Sequence, residues 1–127
     1  MKTILKLLDE EYPLEYIDHV RKVARGILLN EKGEIALNKV QGNDIFGLRD
    51  YYETPGGGFH KNETSKQALS REIKEETGFA CEIIMPIGIV DDYYNLIHRH
   101  NKNYFYLCKI TKYVGKHLDE YEKSMLE

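Results

Sequence analysis

From Val20 to Leu29 the sequence VRKVARGILL leans toward β structure, apolar and polar residues partly alternating as in a half-buried strand. Asn30-Glu31-Lys32-Gly33 is a turn signal, and the extended pattern resumes from Glu34 to Val40, which predicts a hairpin. Gly42 to Asp50 reads as a loop, and Tyr51 to Thr54 as a short strand ended by Pro55 and the glycines 56–58. A helix is expected from Thr64 to Thr77. Thr64 can serve as N-cap, Gln67 three residues on closes a capping box, and Gly78 supplies the stop. Cys81 to Val90 and Asn103 to Thr111, rich in Ile, Val, Tyr and Phe, read as strands separated by a charged loop from Asp91 to Lys102. Strands on both sides of a central helix imply an α/β sandwich with a mixed sheet.

Composition narrows the class. At 127 residues without repeats or linker-like tracts, the chain is expected to form a single domain over 1–127. The net charge is -3 and no run of Lys or Arg occurs, which argues against a nucleic-acid polymer or an anionic membrane as partner. Small phosphorylated substrates stay open, because a metal can meet their charge locally. Cys81 and Cys108 match no metal spacing and read as reduced thiols. The N-terminal MKTILKLLDEEYP lacks the apolar run and cleavage site of a signal peptide, and no window is long enough to span a bilayer. A cytoplasmic location is the expectation.

The chemistry concentrates between Gly57 and Phe79, GGFHKNETSKQALSREIKEETGF. Glu72, Glu75 and Glu76 stand at i, i+3 and i+4, so their carboxylates share one helix face. Like charges at that spacing disfavour an isolated helix, a cost that a bound cation offsets; hard oxygen donors suit Mg²⁺ or Mn²⁺. Arg71, four residues before Glu75, is placed to orient that carboxylate or hold the preceding loop. Gly56, Gly57 and Gly58 allow backbone to approach closely. Glu63 precedes the N-cap and is placed to meet that helix end. Acidic helix faces are usually just solvated, so three glutamates alone decide nothing.

The whole constellation decides more. Gly57, five residues, Glu63, seven residues, Arg71-Glu72, apolar Ile73, any residue, Glu75-Glu76, any residue, Gly78 and apolar Phe79 resembles the box of the Nudix hydrolases at every specified position. At ordinary residue usage, seven fixed identities arise by chance in far fewer than about one in a million windows. The resemblance implies a mixed-sheet α/β/α sandwich, a loop–helix–loop metal site and hydrolysis of a diphosphate linkage in a nucleotide derivative by water attack on phosphorus. It implies that Glu72, Glu75 and Glu76 bind Mg²⁺, with Mn²⁺ as a substitute, and that the Gly56 carbonyl is a further ligand. Arg71 takes the role of the arginine that positions a glutamate, and Glu63 a loop-holding role. Family members commonly add a strand and a helix beyond the strand placed at Asn103 to Thr111, so that part is expected to be shortened or missing here.

The catalytic set is therefore Glu75, Glu76, Glu72 and Arg71, with Glu75 the first choice of base; Asp91, Asp92, Glu120 and Glu122 are the acidic candidates outside the box. Tyr93, Tyr52 and Arg99 are expected to contact substrate, by stacking and by phosphate pairing, with Tyr94 and Tyr51 close to the same places. His98 and His100 alternate with Arg99 and need not converge on a metal, and His60 falls at an unspecified box position. No subfamily signature appears: Tyr93 and Tyr94 fall slightly short of the tyrosine spacing beyond the box, and no proline sits there. A nucleoside triphosphate or related nucleotide is the expected substrate, a homodimer is compatible with the fold, and the rival reading is a non-catalytic nucleotide or ADP-ribose sensor. An isomerase on the same fold would need a catalytic cysteine, and neither Cys81 nor Cys108 sits in such a setting.

Overall fold

The computed structural model describes residues 1–44 and 47–115, and for 42–44 and 47–50 the backbone alone. Seven strands and one α-helix follow in the order β1 (Thr3–Leu7), β2 (His19–Leu29), β3 (Asn38–Asp44), β4 (Gly47–Glu53), β5 (Gly56–Gly58), α1 (Ser65–Thr77), β6 (Phe79–Tyr94) and β7 (Arg99–Tyr113). Five strands form one sheet in the order β1-β6-β7-β2-β5, while β3 and β4 form a separate ribbon. The main sheet is mixed: β1 runs parallel to β6 and β2 to β7, whereas β6–β7 and β2–β5 are antiparallel. No described helix is long and apolar enough to cross a membrane.

The helix forms where its caps predict. Thr64 Oγ1 accepts from Gln67 N at 3.2 Å, and Gln67 Oε1 accepts from Thr64 N at 3.0 Å, closing the capping box. Gly78 turns left-handed at φ 77° and its N–H donates to Lys74 O at 3.0 Å. The face of α1 carrying Ala68, Leu69 and Ile73 packs on Ala24, Leu28, Tyr106 and Cys108. Strand alternation explains that set: Ala24, Gly26 and Leu28 on β2 register with Tyr104, Tyr106 and Cys108 on β7, all on one side of the sheet. The missing side chain of Gly26 lets α1 pack close, since a Cβ would sit 3.1 Å from Ile73 and 3.4 Å from Leu69.

Four expectations need correction. The hairpin after β2 closes only at its root, with Asn30 N to Glu34 O at 3.0 Å, Ala36 N to Leu28 O at 2.9 Å and a lone Leu29–Ile35 bridge. Beyond it β2 is already flanked by β7 and β5, so Asn38–Asp44 pairs with Gly47–Glu53 instead. That pairing also replaces the loop expected from Gly42 to Asp50, apart from residues 45–46, which lie outside the described residues. Gly56–Gly58 do not merely end a strand; they are one, along β2 at Val23 to Arg25. Last, the charged segment 91–102 is mostly strand, because its polar residues answer one another across β6 and β7. Asp91 pairs with His100 at 2.7 Å and Asp92 with Asn103 at 3.3 Å, and the reversal takes only a 3₁₀ turn at Asn95–Ile97 with His98 at φ 55°.

Candidate functional site

The buried stripe of α1 is Ala68, Leu69, Glu72, Ile73 and Glu76, so two carboxylates occupy places a core helix would give to apolar side chains. Glu72 is 5% exposed and Glu76 7%, a setting that costs free energy unless the charge is met. Burial pushes Glu76 up to about 8, with the Glu72 charge adding to the rise and the Gly56 N–H opposing it. Burial raises Glu72 as well, against the pull of Arg71.

Both carboxylates close on the glycine strand. Glu76 Oε2 accepts from Gly56 N at 3.0 Å and from Asn38 Nδ2 at 2.7 Å. Glu72 lies over Gly57 so closely that a Cβ there would stand 2.5 Å from its Cδ. Gly56 is equally confined, at φ 153° with a Cβ position 2.0 Å from Ala24 O. β5 lies at the sheet margin under the helix, which is why α1 reaches it with carboxylates while its apolar residues cover the sheet centre.

Arg71 organises the charge around this pair. Its Nε and Nη2 donate to Glu63 Oε2 and Oε1 at 2.8 and 2.9 Å, a bidentate pair. Nη1 donates to Glu72 Oε1 at 2.7 Å and to Glu75 Oε2 at 3.2 Å, and Nη2 also donates to Gly58 O at 2.9 Å. Glu63 in turn accepts from His60 N at 2.6 Å, so the 58–63 loop is tied to the helix through one guanidinium. The Arg71 guanidinium holds Glu63 down at about 2, and these carboxylates keep Arg71 charged.

The arrangement fits a divalent cation in a specific way. Glu72 Oε2 and Glu76 Oε1 accept no hydrogen bond from the described residues, so each buried carboxylate keeps an oxygen for a ligand. Glu75 is turned toward Arg71, and among the described residues no three His, Cys, Asp or Glu side chains form a ready cage for an ion. Two carboxylates completed by water and phosphate oxygens are the usual protein share of a Mg²⁺ site, which rarely takes an all-protein cage.

The other expected residues divide between two places. An open groove of about 650 Å³ is lined by Leu7, Tyr12, Tyr51, Asp92, Tyr93 and Tyr94 among others. Tyr93 stacks on His100 at 4.6 Å and Lys6 stands 5.5 Å from its ring. Arg99 lies 5.2 Å over Tyr94, and its buried Nε has no hydrogen-bond partner among the described residues. Tyr52 is exposed on β4, facing Lys39 across the ribbon. His98 stacks on Tyr16 at 4.0 Å whereas His100 bonds Asp91, so the two histidines do not converge. Burial pushes the Asp91 carboxyl up, but bonds from His100 and Thr3 outweigh it and hold it low. Asp92 lines the groove, and Glu120 and Glu122 lie outside the described residues. Sequence reasoning missed Asn38 and Arg21. Nothing in the sequence ties Asn38 to Glu76, because that contact depends on where the 38–44 strand leaves β2.

Residues 19–122 match the family model described as NUDIX domain. A Nudix hydrolase of Listeria innocua is 36% identical over 88 residues, covering 61% of this chain and 52% of that protein. The 8-oxo-dGTP diphosphatase of Haemophilus influenzae is 43% identical over 61 residues, covering 47% of this chain and 43% of its own length. The chain thus spans about half the length of these two relatives. In fold it resembles the MutT NUDIX hydrolase from Burkholderia pseudomallei, with a TM-score of 0.70 at 22% identity over 87% of this chain and 80% of that one.

Proposed function

Since the chain belongs to the Nudix family, we propose that it hydrolyses the diphosphate linkage of a nucleoside triphosphate or related small nucleotide, with Mg²⁺ as cofactor and Mn²⁺ as a substitute. The observation that carries this reading is the convergence of two buried carboxylates, Glu72 and Glu76, on the bare backbone of Gly56 and Gly57. The name of the Haemophilus relative supports a nucleoside triphosphate as the starting guess.

Glu72 and Glu76 would hold the cation, with the Gly56 carbonyl as a further ligand and Glu75 beside them. When bound, the cation neutralises phosphate charge and makes a water acidic enough to attack near neutral pH. Glu75 accepts the proton of the attacking water, held in place by Arg71. The water oxygen bonds to phosphorus, the P–O bond to the bridging oxygen breaks, and two phosphorylated products leave. Arg71 acts through Glu72, Glu75 and the loop, and is a positioning residue. Tyr93, Tyr52 and Arg99 contact the rest of the substrate. The chain works as one domain, its expected place is the cytoplasm, and a homodimer suits the fold.

The test is a panel of nucleoside triphosphates, ADP-ribose, nucleotide sugars and dinucleoside polyphosphates incubated with the chain and Mg²⁺. Phosphate or pyrophosphate release is followed for wild type and Glu76→Gln. Metal-dependent turnover that collapses in the variant is expected. Binding of ADP-ribose without any turnover would instead favour a sensor.

A further inference from the structure

β5 is one backbone thick, and its two faces meet opposite charges. The Cα of Gly57 faces α1, where Glu72 fills the space a side chain would take. The Cα of Gly58 faces the other side, where Arg21 fills it: a Cβ would lie 3.1 Å from Arg21 Nη2 and 3.2 Å from Nε. Alternation accounts for the split, because Gly57 registers with Ala24 and Gly58 with Val23, two residues from Arg21 on the same face of β2. Arg21 as a residue remains exposed.

Like charge gathers at this point. Arg99 registers with His19, and Arg21 with Asn101, so the two arginines are diagonal neighbours on one face, within reach of long side chains. Burial lowers Arg21 from the usual arginine value, the guanidiniums of Arg99 and Arg25 lower it further, and Glu72 and Tyr94 pull the other way. Arg25 is occupied, donating to Thr54 O at 3.0 Å. Among the described residues the buried Nε of Arg99 has no hydrogen-bond partner. One row of register partners, Leu7, Asp92, Asn101 and Arg21, leads across the sheet from the tyrosine groove to β5. At about 4.8 Å per strand, Arg21 stands about 10 Å from Asp92, a span that a sugar and its first phosphates bridge.

We propose that Arg21, seated against Gly58 and backed by Arg99, grips a substrate phosphate on the side of β5 opposite Glu72 and Glu76. The diphosphate then wraps the sheet margin at the glycines, with carboxylates and cation on one side and guanidinium on the other. Gly58 serves as the seat that lets the guanidinium close on the strand. A guanidinium suits the task because its fork binds two phosphate oxygens at once. This rests on the diphosphate-hydrolase reading, yet it is tested without turnover.

The experiment is isothermal titration of the full chain with inorganic pyrophosphate in EDTA, at low and at 0.5 M salt, for wild type, Arg21→Gln, Arg21→Lys and Gly58→Ala. Loss of one charge-assisted pair predicts roughly tenfold or greater weakening in Arg21→Gln and a salt dependence flatter than wild type. Arg21→Lys should recover part of the affinity, and Gly58→Ala, which shifts the guanidinium by only a few tenths of an ångström, should weaken it by no more than a few-fold. Mn²⁺ binding to the carboxylates, read separately by electron paramagnetic resonance, should stay within about twofold of wild type in all three. Pyrophosphate affinity unchanged in Arg21→Gln overturns the inference, and so does a wild type that binds no pyrophosphate. A nucleotide panel without turnover beside an Arg21-dependent pyrophosphate affinity would sink the hydrolase reading and leave the anion seat standing.

Discussion

Glu63→Gln isolates the hinge of the site. The substitution keeps the shape of the side chain but removes the charge that meets Arg71 Nε and Nη2 at 2.8 and 2.9 Å. In the folded chain that guanidinium holds the carboxyl at about 2, against an ordinary value of 4.5. Unscreened, a difference of that size corresponds to about 3 kcal/mol. The neighbours His60, Lys61 and Asn62 are exposed, so solvent screens the pair and about 1 kcal/mol is expected. A carboxyl lowered on folding contributes stability above its unfolded value and loses it as pH falls toward its folded one. The gap between wild type and Glu63→Gln should therefore be near 1 kcal/mol at pH 7 and close toward zero between pH 4.5 and about pH 2. Urea unfolding at pH 7, 4 and 2.5, with both proteins at each pH, measures it. A gap that persists at pH 2.5 would refute the ion-pair reasoning and assign the loss to packing or to the His60 N–H bond. Turnover at pH 7 should fall about tenfold, because Arg71 and the 58–63 loop lose their common anchor.

Four further outcomes follow from the contacts of the site and its helix. At saturating Mg²⁺, about 100 times the dissociation constant, wild type should gain about 2.7 kcal/mol of stability, seen as a raised Tm, and Glu76→Gln should gain almost none. Gly57→Ala should fold yet bind Mn²⁺ about 10- to 100-fold more weakly, because the new methyl displaces the Glu72 carboxylate. Gly56→Ala should fail to fold or lose about 3 kcal/mol or more, as its Cβ meets the Ala24 carbonyl; a soluble variant of unchanged Tm would contradict that geometry. Thr64→Ala should cost about 1 kcal/mol in urea unfolding through loss of the Gln67 N–H bond, with metal affinity unchanged.

What the sequence made legible was local. The caps of α1 and the shared face of Glu72 and Glu76 follow from spacing along one helix, and the structure has them where spacing puts them. The orientation of Arg71 toward Glu75 is likewise an i,i+4 relation. What stayed hidden depends on partners far along the chain. β1 is an exposed strand that registers with Ile89 to Asp92, and no pattern within Thr3–Leu7 reveals that. The polar stretch 91–102 resembled a loop because its compensation lies across the sheet, Asp91 to His100 and Asp92 to Asn103. Arg21 escaped for the same reason: its place against Gly58 needs the β2–β5 register, which Val23 and Gly58 set only in three dimensions.

The charge balance around α1 also supports the proposed cation. Glu63, Glu72 and Glu75 all contact Arg71, and of the three Glu63 is the one held by two of its nitrogens. Glu76 has neutral donors alone, Asn38 and the Gly56 N–H. Three of the four carboxylates thus share one guanidinium, while Glu76, buried and off that guanidinium, is the least compensated. A long cationic side chain at Gly57 would meet Glu72, but it would fill the space over β5 that the proposed substrate phosphates need. A divalent ion meets two buried negative charges in a small volume and keeps coordination places open for phosphate oxygens. The bare backbone of β5 and the buried carboxylates of Glu72 and Glu76 are two halves of the proposed site: room for an anion beside oxygens that suit a cation.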